Sequence, residues 1–204
     1  MVGDEIEARS FQIILQELGE HNFSDQELSI VLRIIHASAD FDFAKTIRFS
    51  SQAITAGIQA ISQGCHIITD VQMVKAGISH SKIIPFKCDV ICAIDSEEVQ
   101  KLAQQNGITR AAASIQILKD KLPKSIVAVG NAPTALLEVL RIYQEENIKP
   151  LLVIGMPVGF VQASEVKDLL NRSSLAYITS LGRKGGSPIA AACVNALLQM
   201  AKTV

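Results

Sequence analysis

The sequence is poor in aromatic residues and lacks the cysteine spacings that mark metal sites. Aromatic residues make up 4% of the chain and hydrophobic residues 49%, which predicts an aliphatic core. The four cysteines form no CxxC pair. Cys88 and Cys92 flank a predicted strand, where four residues span roughly 13 Å, too far for two ligands of one metal. We interpret all four cysteines as reduced core thiols of a cytosolic protein, and we expect no metal site.

Strong net charge and long hydrophobic runs are also absent. The formal net charge of −1 gives no reason to expect nucleic acid or an anionic membrane as a partner. The N-terminal sequence is acidic rather than signal-like, and no apolar run approaches about 18 residues. We expect a soluble cytoplasmic protein.

Several familiar catalytic motifs are missing as well. The chain has no GxxxxGK[ST] loop and no GxGxxG after a strand, which argues against nucleoside triphosphates and dinucleotides. It has neither GxSxG nor HExxH, so serine or zinc hydrolysis has no support. His21, His66 and His80 share no metal-ligand spacing and are interpreted as structural or surface residues.

The clearest helix signal covers residues 24–40, SDQELSIVLRIIHASAD. It opens with a capping box, because Ser24 is followed three residues later by Glu27. Aliphatic residues at helical spacing cover two sides of this helix and leave a narrow polar stripe that includes Arg33 and His36. The stripe is either the solvated side of a core helix or a set of groups facing a pocket, with His36 as the candidate acid or base.

The rest of the pattern predicts an α/β fold in a single domain, residues 1–204. Helices at 4–18, 24–40 and 50–62 precede five short aliphatic strands at 66–69, 90–94, 126–129, 151–154 and 176–179. Helical segments separate these strands, at 71–76, 96–105, 110–121, 134–146, 164–171 and, after the last strand, 187–200. This alternation predicts a doubly wound, mainly parallel five-stranded sheet with helices on both faces.

Ligands of such sheets bind beyond the carboxyl ends of the strands, so the loops after the strands are candidate site segments. Residues 182–187, GRKGGS, combine glycines, Arg183, Lys184 and a helix start at Ser187. This combination favours an anion such as phosphate or carboxylate, or else it is a tight turn with basic residues at the surface.

The other loops have two interpretations each. Asn131 caps the helix that begins near Pro133, or it points its amide into the crevice. Asp70 and Arg110 are equally compatible with helix capping and with a ligand site. Residues 155–159, GMPVG, form an apolar floor for a flat ligand, or a turn that requires positive φ. Together these features describe an enzyme without an organic cofactor that acts on a large, partly apolar polyanion.

Over residues 9–198 the sequence closely resembles the precorrin-8X (cobalt-precorrin-8) methylmutase family of cobalamin biosynthesis. The stretches that carry the resemblance are Ser10-Phe11 and residues 31–36, 130–136, 155–161, 182–187 and 190–192, in this order. Each stretch alone is weakly specific, but all of them in order in a chain of this length are a strong match.

The resemblance implies a methyl shift from C-11 to C-12 of the tetrapyrrole precursor, giving (cobalt-)cobyrinate or hydrogenobyrinate, without a cofactor. It implies that His36 is catalytic and that Ser10 and Arg33 bind the substrate. It also places Asp70, Arg110, Asn131, Arg183 and Ser187 at strand-end positions that face the macrocycle. Members of the family are homodimers with sites near the subunit interface, so a homodimer is expected.

Two points separate this sequence from the simplest form of that expectation. Leu15 stands where many relatives carry a basic residue, so one carboxylate contact is absent or supplied elsewhere. A non-catalytic corrinoid carrier on the same fold is the alternative function, although a carrier has no need for an acid at His36.

Overall fold

The computed structural model describes residues 3–202, and a six-stranded sheet lies at its centre. In chain order the strands are β1 (Ile47–Phe49), β2 (His66–Thr69), β3 (Asp89–Ile91), β4 (Ser125–Val129), β5 (Leu152–Gly155) and β6 (Tyr177–Ser180). Their order across the sheet is β1-β6-β5-β4-β2-β3. β1 is antiparallel to β6 and all other neighbouring pairs are parallel, which confirms the doubly wound, mainly parallel sheet.

The strand that the sequence did not reveal is β1, at the edge of the sheet. It is only three residues long, Ile47–Phe49, and Arg48 interrupts its apolar character. Its place depends on pairing with a distant strand, because Ile47 lies opposite Ser180 and Phe49 opposite Ile178. The prediction that three helices precede every strand is therefore wrong, since β1 comes before the helix at Ala53–Ser62.

The predicted helices are present in the predicted order, with small shifts at their ends, whereas the two short helices at Asp42–Thr46 and His80–Ile83 were not predicted. The helices are α1 (Gly3–Leu18), α2 (Asp25–Ser38), α3 (Asp42–Thr46), α4 (Ala53–Ser62), α5 (Gln72–Gly77), α6 (His80–Ile83), α7 (Glu97–Asn106), α8 (Arg110–Ile117), α9 (Pro133–Glu146), α10 (Ala163–Asn171) and α11 (Ser187–Ala201). The capping box of α2 is confirmed, because the Glu27 N–H donates to Ser24 and the Glu27 carboxylate accepts from the Ser24 N–H. α8 ends earlier than predicted, and Lys119–Lys124 form a 3₁₀ segment that contains Pro123.

Alternate residues of the strands face two helical layers. In β4, Ile126 and Ala128 join a core with α1, α2, α4 and α11, whereas Val127 and Val129 join a core with α8, α9 and α10. α11 lies in the middle of the first layer and packs against α2, α4 and α5. The sheet is thus shared by both helical layers. Among the helices described, none combines the length and apolarity that crossing a bilayer requires.

Candidate active site

His36 lies in the last turn of α2, beside a cavity of about 270 Å³ between α2, α5 and α11. The residues that line this cavity are Arg33, His36, Ala37, Gly77, Pro188, Ala191, Ala192 and Asn195. The His36 side chain is exposed rather than packed in the core. His36 thus presents its ring to the cavity from the carbonyl end of α2.

Phe11 of α1 orients the two polar groups that α2 presents. Its ring meets the His36 imidazole edge-on, with centroids 5.3 Å apart and planes at 78°. The Arg33 guanidinium carbon lies 5.3 Å from the same ring centroid. The Phe11 ring thus packs against the imidazole of His36 and stabilises the positive charge of the Arg33 guanidinium. Sequence reasoning gave Phe11 no role in the site, and its place beside Ser10 in the family-like motif was the only signal.

Arg33 is largely buried and already has a carboxylate partner. Its Nη1 lies 3.0 Å from Oε1 of Glu7, and 17% of its side chain is exposed. Arg33 also lines a second cavity of about 310 Å³, with Phe11, Ser29, Leu32, Ala196, Gln199 and Met200. Any anionic ligand that reaches Arg33 must therefore share the guanidinium with Glu7.

Lys82 of α6 is a second cation near Arg33, and the sequence pattern did not single it out. Burial lowers the pKa of the Lys82 ammonium, and the positive charge of Arg33 lowers it further, whereas Glu7 acts in the opposite direction. Lys82 and Arg33 thus lie close enough for their charges to interact.

Asn195 of α11 fixes the wall of the cavity opposite α2. Its Nδ2 donates to the Gly77 carbonyl oxygen at 2.9 Å, and its Oδ1 accepts from the Ser79 N–H at 2.8 Å. Gly77 lies so close to α11 that an added Cβ would be 2.7 Å from the Ala191 Cβ. The turn between α5 and α6 is thus held tightly against α11. Sequence reasoning missed Asn195, because it is one polar residue within an apolar helix.

In the crevice at the carboxyl ends of the strands, Asp70 binds backbone N–H groups of a neighbouring loop. Asp70 is fully buried after β2, and its carboxylate accepts from the N–H groups of Gly130, Asn131 and Ala132 at 3.0, 2.8 and 2.7 Å. Burial raises the pKa of the Asp70 carboxyl, while the three N–H donors lower it. Asp70 thus fills the N–H cluster in the loop before α9, at the point where the strand order reverses.

Neighbouring residues of this crevice are used for packing. Ser187 is 5% exposed. Its Cα lies only 2.7 Å from the position that a Cβ on Gly130 would take. Asn131 is exposed and makes no side-chain cap, since Ala132 is the N-cap of α9. The capping interpretation of Asn131 is therefore wrong, whereas the placement of Pro133 at the start of α9 is confirmed.

The glycine loop after β6 packs on the loop after β5. The Gly186 N–H donates to the Met156 carbonyl oxygen at 2.8 Å, and a Cβ on Gly185 would clash with the same oxygen. The Gly159 N–H donates to the Arg183 carbonyl oxygen at 3.2 Å. The close backbone approach that these glycines permit is thus to another loop of the protein, as the turn interpretation expects.

Lys184 links this glycine loop to the chain after α2. Its Nζ lies 2.6 Å from Asp40 and 2.8 Å from Asp42, and these two carboxylates raise the pKa of the ammonium. Its carbonyl oxygen accepts from the fully buried Lys167 at 2.7 Å. Burial lowers the pKa of Lys167 to about 8. The charge of Lys184 is already paired, so the predicted anion-binding role of this loop is left to Arg183.

The predicted apolar floor is divided into a buried part and an exposed part. Met156 is buried, whereas Val158 is 45% exposed, and Phe160, which follows the floor directly, is 84% exposed. The Arg183 guanidinium carbon lies 5.3 Å from the Phe160 ring centroid, which forms an exposed cationic and aromatic pair.

The remaining predicted residues lie apart from the lining of the His36 cavity. Arg110 is exposed at the start of α8 and borders another cavity of about 340 Å³ with Gln100, Ala103, Gln104 and Ile108. Thr109, the residue before it, caps α8 by accepting from the Ala112 N–H. Ser10 lies beside Phe11, and its hydroxyl donates to the Ile6 carbonyl oxygen within α1. Of the predicted set, the structure brings Arg33 and His36 together in one cavity lining.

Comparisons with known proteins agree with this fold and sequence. The family profile of precorrin-8X methylmutase matches residues 5–200. The chain is 44% identical to cobalt-precorrin-8 methylmutase of Leptospira interrogans, over 97% of this chain and 93% of that protein. It is also 44% identical to the Methanocaldococcus jannaschii protein of the same name, over 93% and 88% of the two chains.

A solved structure gives the same result. The crystal structure of precorrin-8X methylmutase from Thermus thermophilus superposes with a TM-score of 0.92 at 39% identity, covering 98% of this chain and 97% of that one. The matched region includes α2 with His36 and the glycine loop. The chain belongs to the precorrin-8X methylmutase family and is an enzyme of the isomerase class in cobalamin biosynthesis.

Proposed function

We propose that the enzyme moves a methyl group from C-11 to C-12 of (cobalt-)precorrin-8, giving (cobalt-)cobyrinate or hydrogenobyrinate. The relatives named cobalt-precorrin-8 methylmutase support this substrate class. The observation that carries the proposal is the exposed His36 imidazole, which borders a cavity together with Arg33 and contacts Phe11. The shift is intramolecular, so this site needs a group that polarises the substrate rather than a second reactant.

In this proposal His36 is the acid or hydrogen-bond donor. It donates to a ring nitrogen of the substrate and draws electron density from the conjugated system as the methyl group migrates. An imidazole suits this role because its ordinary pKa is near cellular pH. Phe11 packs edge-on against the His36 ring and so limits the directions in which this ring can turn.

The macrocycle and its carboxylates extend over both cavities that share Arg33. Each cavity alone, about 270 and 310 Å³, is at the lower limit for an organic ligand. Arg33 and Lys82 provide positive charge for the carboxylates, and Pro188 and Ala192 provide apolar contact surface.

The other predicted contacts stay part of this proposal, with different roles. Ser10, Arg110, Asn131, Arg183 and Ser187 are proposed substrate-binding residues. Arg183 has the best support, since it is exposed and carries Phe160 beside it. Asp70 acts indirectly in this proposal, because its carboxylate holds the loop before α9.

The enzyme is proposed to be a cytoplasmic homodimer. Three large hydrophobic side chains of α1, Ile6, Ile13 and Leu15, are 50%, 46% and 42% exposed. Exposed apolar residues of this kind favour contact with a second subunit. The four free cysteines are compatible with a reducing compartment. Sedimentation velocity of the wild type and of an Ile6→Lys/Ile13→Lys variant tests the dimer, since a surface dimer predicts dissociation of the variant only.

The decisive experiment compares the variants His36→Ala and His21→Ala with the wild type. His21 is an exposed histidine that stacks on Phe23, so its variant controls for the loss of a surface imidazole. We expect His36→Ala to lose roughly 10²–10⁴-fold in turnover, the range for a general acid, while corrinoid affinity changes little. The methyl shift changes the conjugated system, so absorption spectroscopy follows it directly. Wild-type turnover in His36→Ala would refute the assignment.

The same assay separates the enzyme from the carrier alternative. A carrier predicts a spectral change that stops at one equivalent of ligand and releases no product. An enzyme predicts continued conversion of excess precursor by catalytic amounts of protein. Retention of His36 in the cavity lining favours the enzyme.

A further inference from the structure

Cys65 and Cys88 lie side by side at the amino-terminal ends of two neighbouring parallel strands. β2 and β3 pair in register with His66 opposite Asp89, so the two cysteines come one residue before this pair. Their Sγ atoms are 4.0 Å apart, and both side chains belong to the hydrophobic layer on the same face of the sheet. The pair is at the opposite end of β2 from Asp70.

The strand register gives these thiols a backbone geometry that a disulfide accepts. Neighbouring strands lie about 4.8 Å apart, which is within the range of about 4.4–6.8 Å between Cα atoms of disulfide-bonded cysteines. The Sγ atoms must approach by about 2 Å to reach bonding distance. This approach requires rotation of the two side chains toward each other.

We propose that Cys65 and Cys88 form a dithiol site that peroxides convert into an intramolecular disulfide. Cys88 is the half-buried partner and therefore meets the peroxide first. The Cys88 sulfur attacks one peroxide oxygen, the O–O bond breaks, and the leaving hydroxide takes the thiol proton to become water. Cys65 then attacks the sulfur of the Cys88 sulfenic acid, and the S–O bond breaks. The leaving hydroxide takes the Cys65 proton, so one hydrogen peroxide is reduced to two waters.

The electrostatics of the pair assign the same order of attack. The hydrogen bond from Cys65 lowers the pKa of the Cys88 thiol, while this contact and burial raise that of Cys65. The thiolate is the nucleophile, so Cys88 is the reactive sulfur and Cys65 resolves the sulfenic acid.

The two other cysteines provide internal controls. Cys193 is fully buried in α11, and burial raises its pKa. Cys92 follows β3 at its opposite end from Cys88.

Closing a bond between Cys65 and Cys88 joins the ends of the segment that contains β2, α5 and α6. The cross-linked protein is expected to unfold at a temperature higher by on the order of 5–10 °C.

The test treats the reduced full-length protein with hydrogen peroxide and maps its peptides without reduction. We expect the wild type and Cys193→Ser to become two hydrogen atoms lighter, with the Cys65 and Cys88 peptides cross-linked within one chain. Cys88→Ser should form no such cross-link, and Cys65→Ser should stop at oxidised Cys88 monomers.

The inference is overturned if wild-type Cys88 proceeds to sulfinic acid while Cys65 stays alkylatable. A cross-linked protein that unfolds at a lower temperature than the reduced one would also overturn it, because the fold would then have to open for the bond to form. This result does not depend on the proposed methyl shift.

Discussion

The buried ammonium group of Lys167 allows the energetics of this fold to be tested directly. Lys167 is fully buried, and its Nζ donates to the Lys184 carbonyl oxygen at 2.7 Å. Lys167→Met keeps a long unbranched side chain and removes the charge. The Ser180 hydroxyl also donates to the Lys184 carbonyl oxygen, at 3.0 Å, so this acceptor keeps a partner in the variant. The substitution therefore removes the buried charge with little loss of packing or hydrogen bonding.

The expected effect depends on pH, with a definite sign. Burial lowers the pKa of Lys167 from 10.5 to about 8 in the folded protein. Between these values the unfolded chain binds more protons than the folded one, so stability rises with pH in this window. The difference between the two pKa values corresponds to about 3 kcal/mol. The free energy of unfolding of the wild type should therefore rise by about 3 kcal/mol relative to Lys167→Met, from neutral pH to about pH 10.5.

Urea unfolding at several pH values measures this difference. Far-ultraviolet circular dichroism follows the wild type, Lys167→Met and the control Lys124→Met, whose lysine is exposed. The difference between the wild type and Lys124→Met should stay constant with pH. A constant difference for Lys167→Met as well would show that Lys167 titrates normally, and the reasoning from its burial would be refuted.

Three further substitutions test the site and its supports. Arg33→Met should raise the Kd for the corrin precursor about tenfold or more. Glu7→Gln should not weaken binding, because it frees the Arg33 guanidinium. An equal loss of affinity in the two variants would show that the Arg33–Glu7 pair is only structural. Asp70→Ala leaves three N–H groups without an acceptor and should lower the free energy of unfolding by about 3–5 kcal/mol, with Asp70→Asn less affected, as urea unfolding would measure. Gly77→Ala pushes α5 away from Ala191 and should destabilise by about 1–3 kcal/mol and raise KM; an unchanged KM would remove this wall from the substrate site.

Local sequence signals were sufficient for most of the fold. The capping box and the aliphatic spacing of α2 are patterns within one or two helical turns. The strands from β2 to β6 are marked in the same local way, by short aliphatic runs. β1 was missed because its stability comes from pairing with β6, more than a hundred residues later. The end of α8 was misplaced because the apolar spacing continues into a 3₁₀ segment.

The candidate site was predictable only where its residues share one helix. Arg33 and His36 are one turn apart on α2, so the sequence could place them on the same side, and they line the same cavity. For Asp70, no local pattern distinguishes a carboxylate that binds a ligand from one that binds backbone N–H groups of a distant loop. The roles of Asn195 and Lys82 could not be predicted for the same reason, since the groups with which they interact lie on other segments of the chain.

The short antiparallel strand β1 has a consequence for how two copies of this chain can associate. β1 covers the side of β6, and the Arg48 guanidinium donates to the Ile47 carbonyl oxygen at 2.7 Å. At the far edge, β3 is also only three residues long and begins with the exposed Asp89. Edges this short, one blocked by its own arginine, are poor templates for a strand from another molecule. A continuous intersubunit sheet is therefore disfavoured, and contacts between copies of this chain would have to use the outer surfaces of the helices.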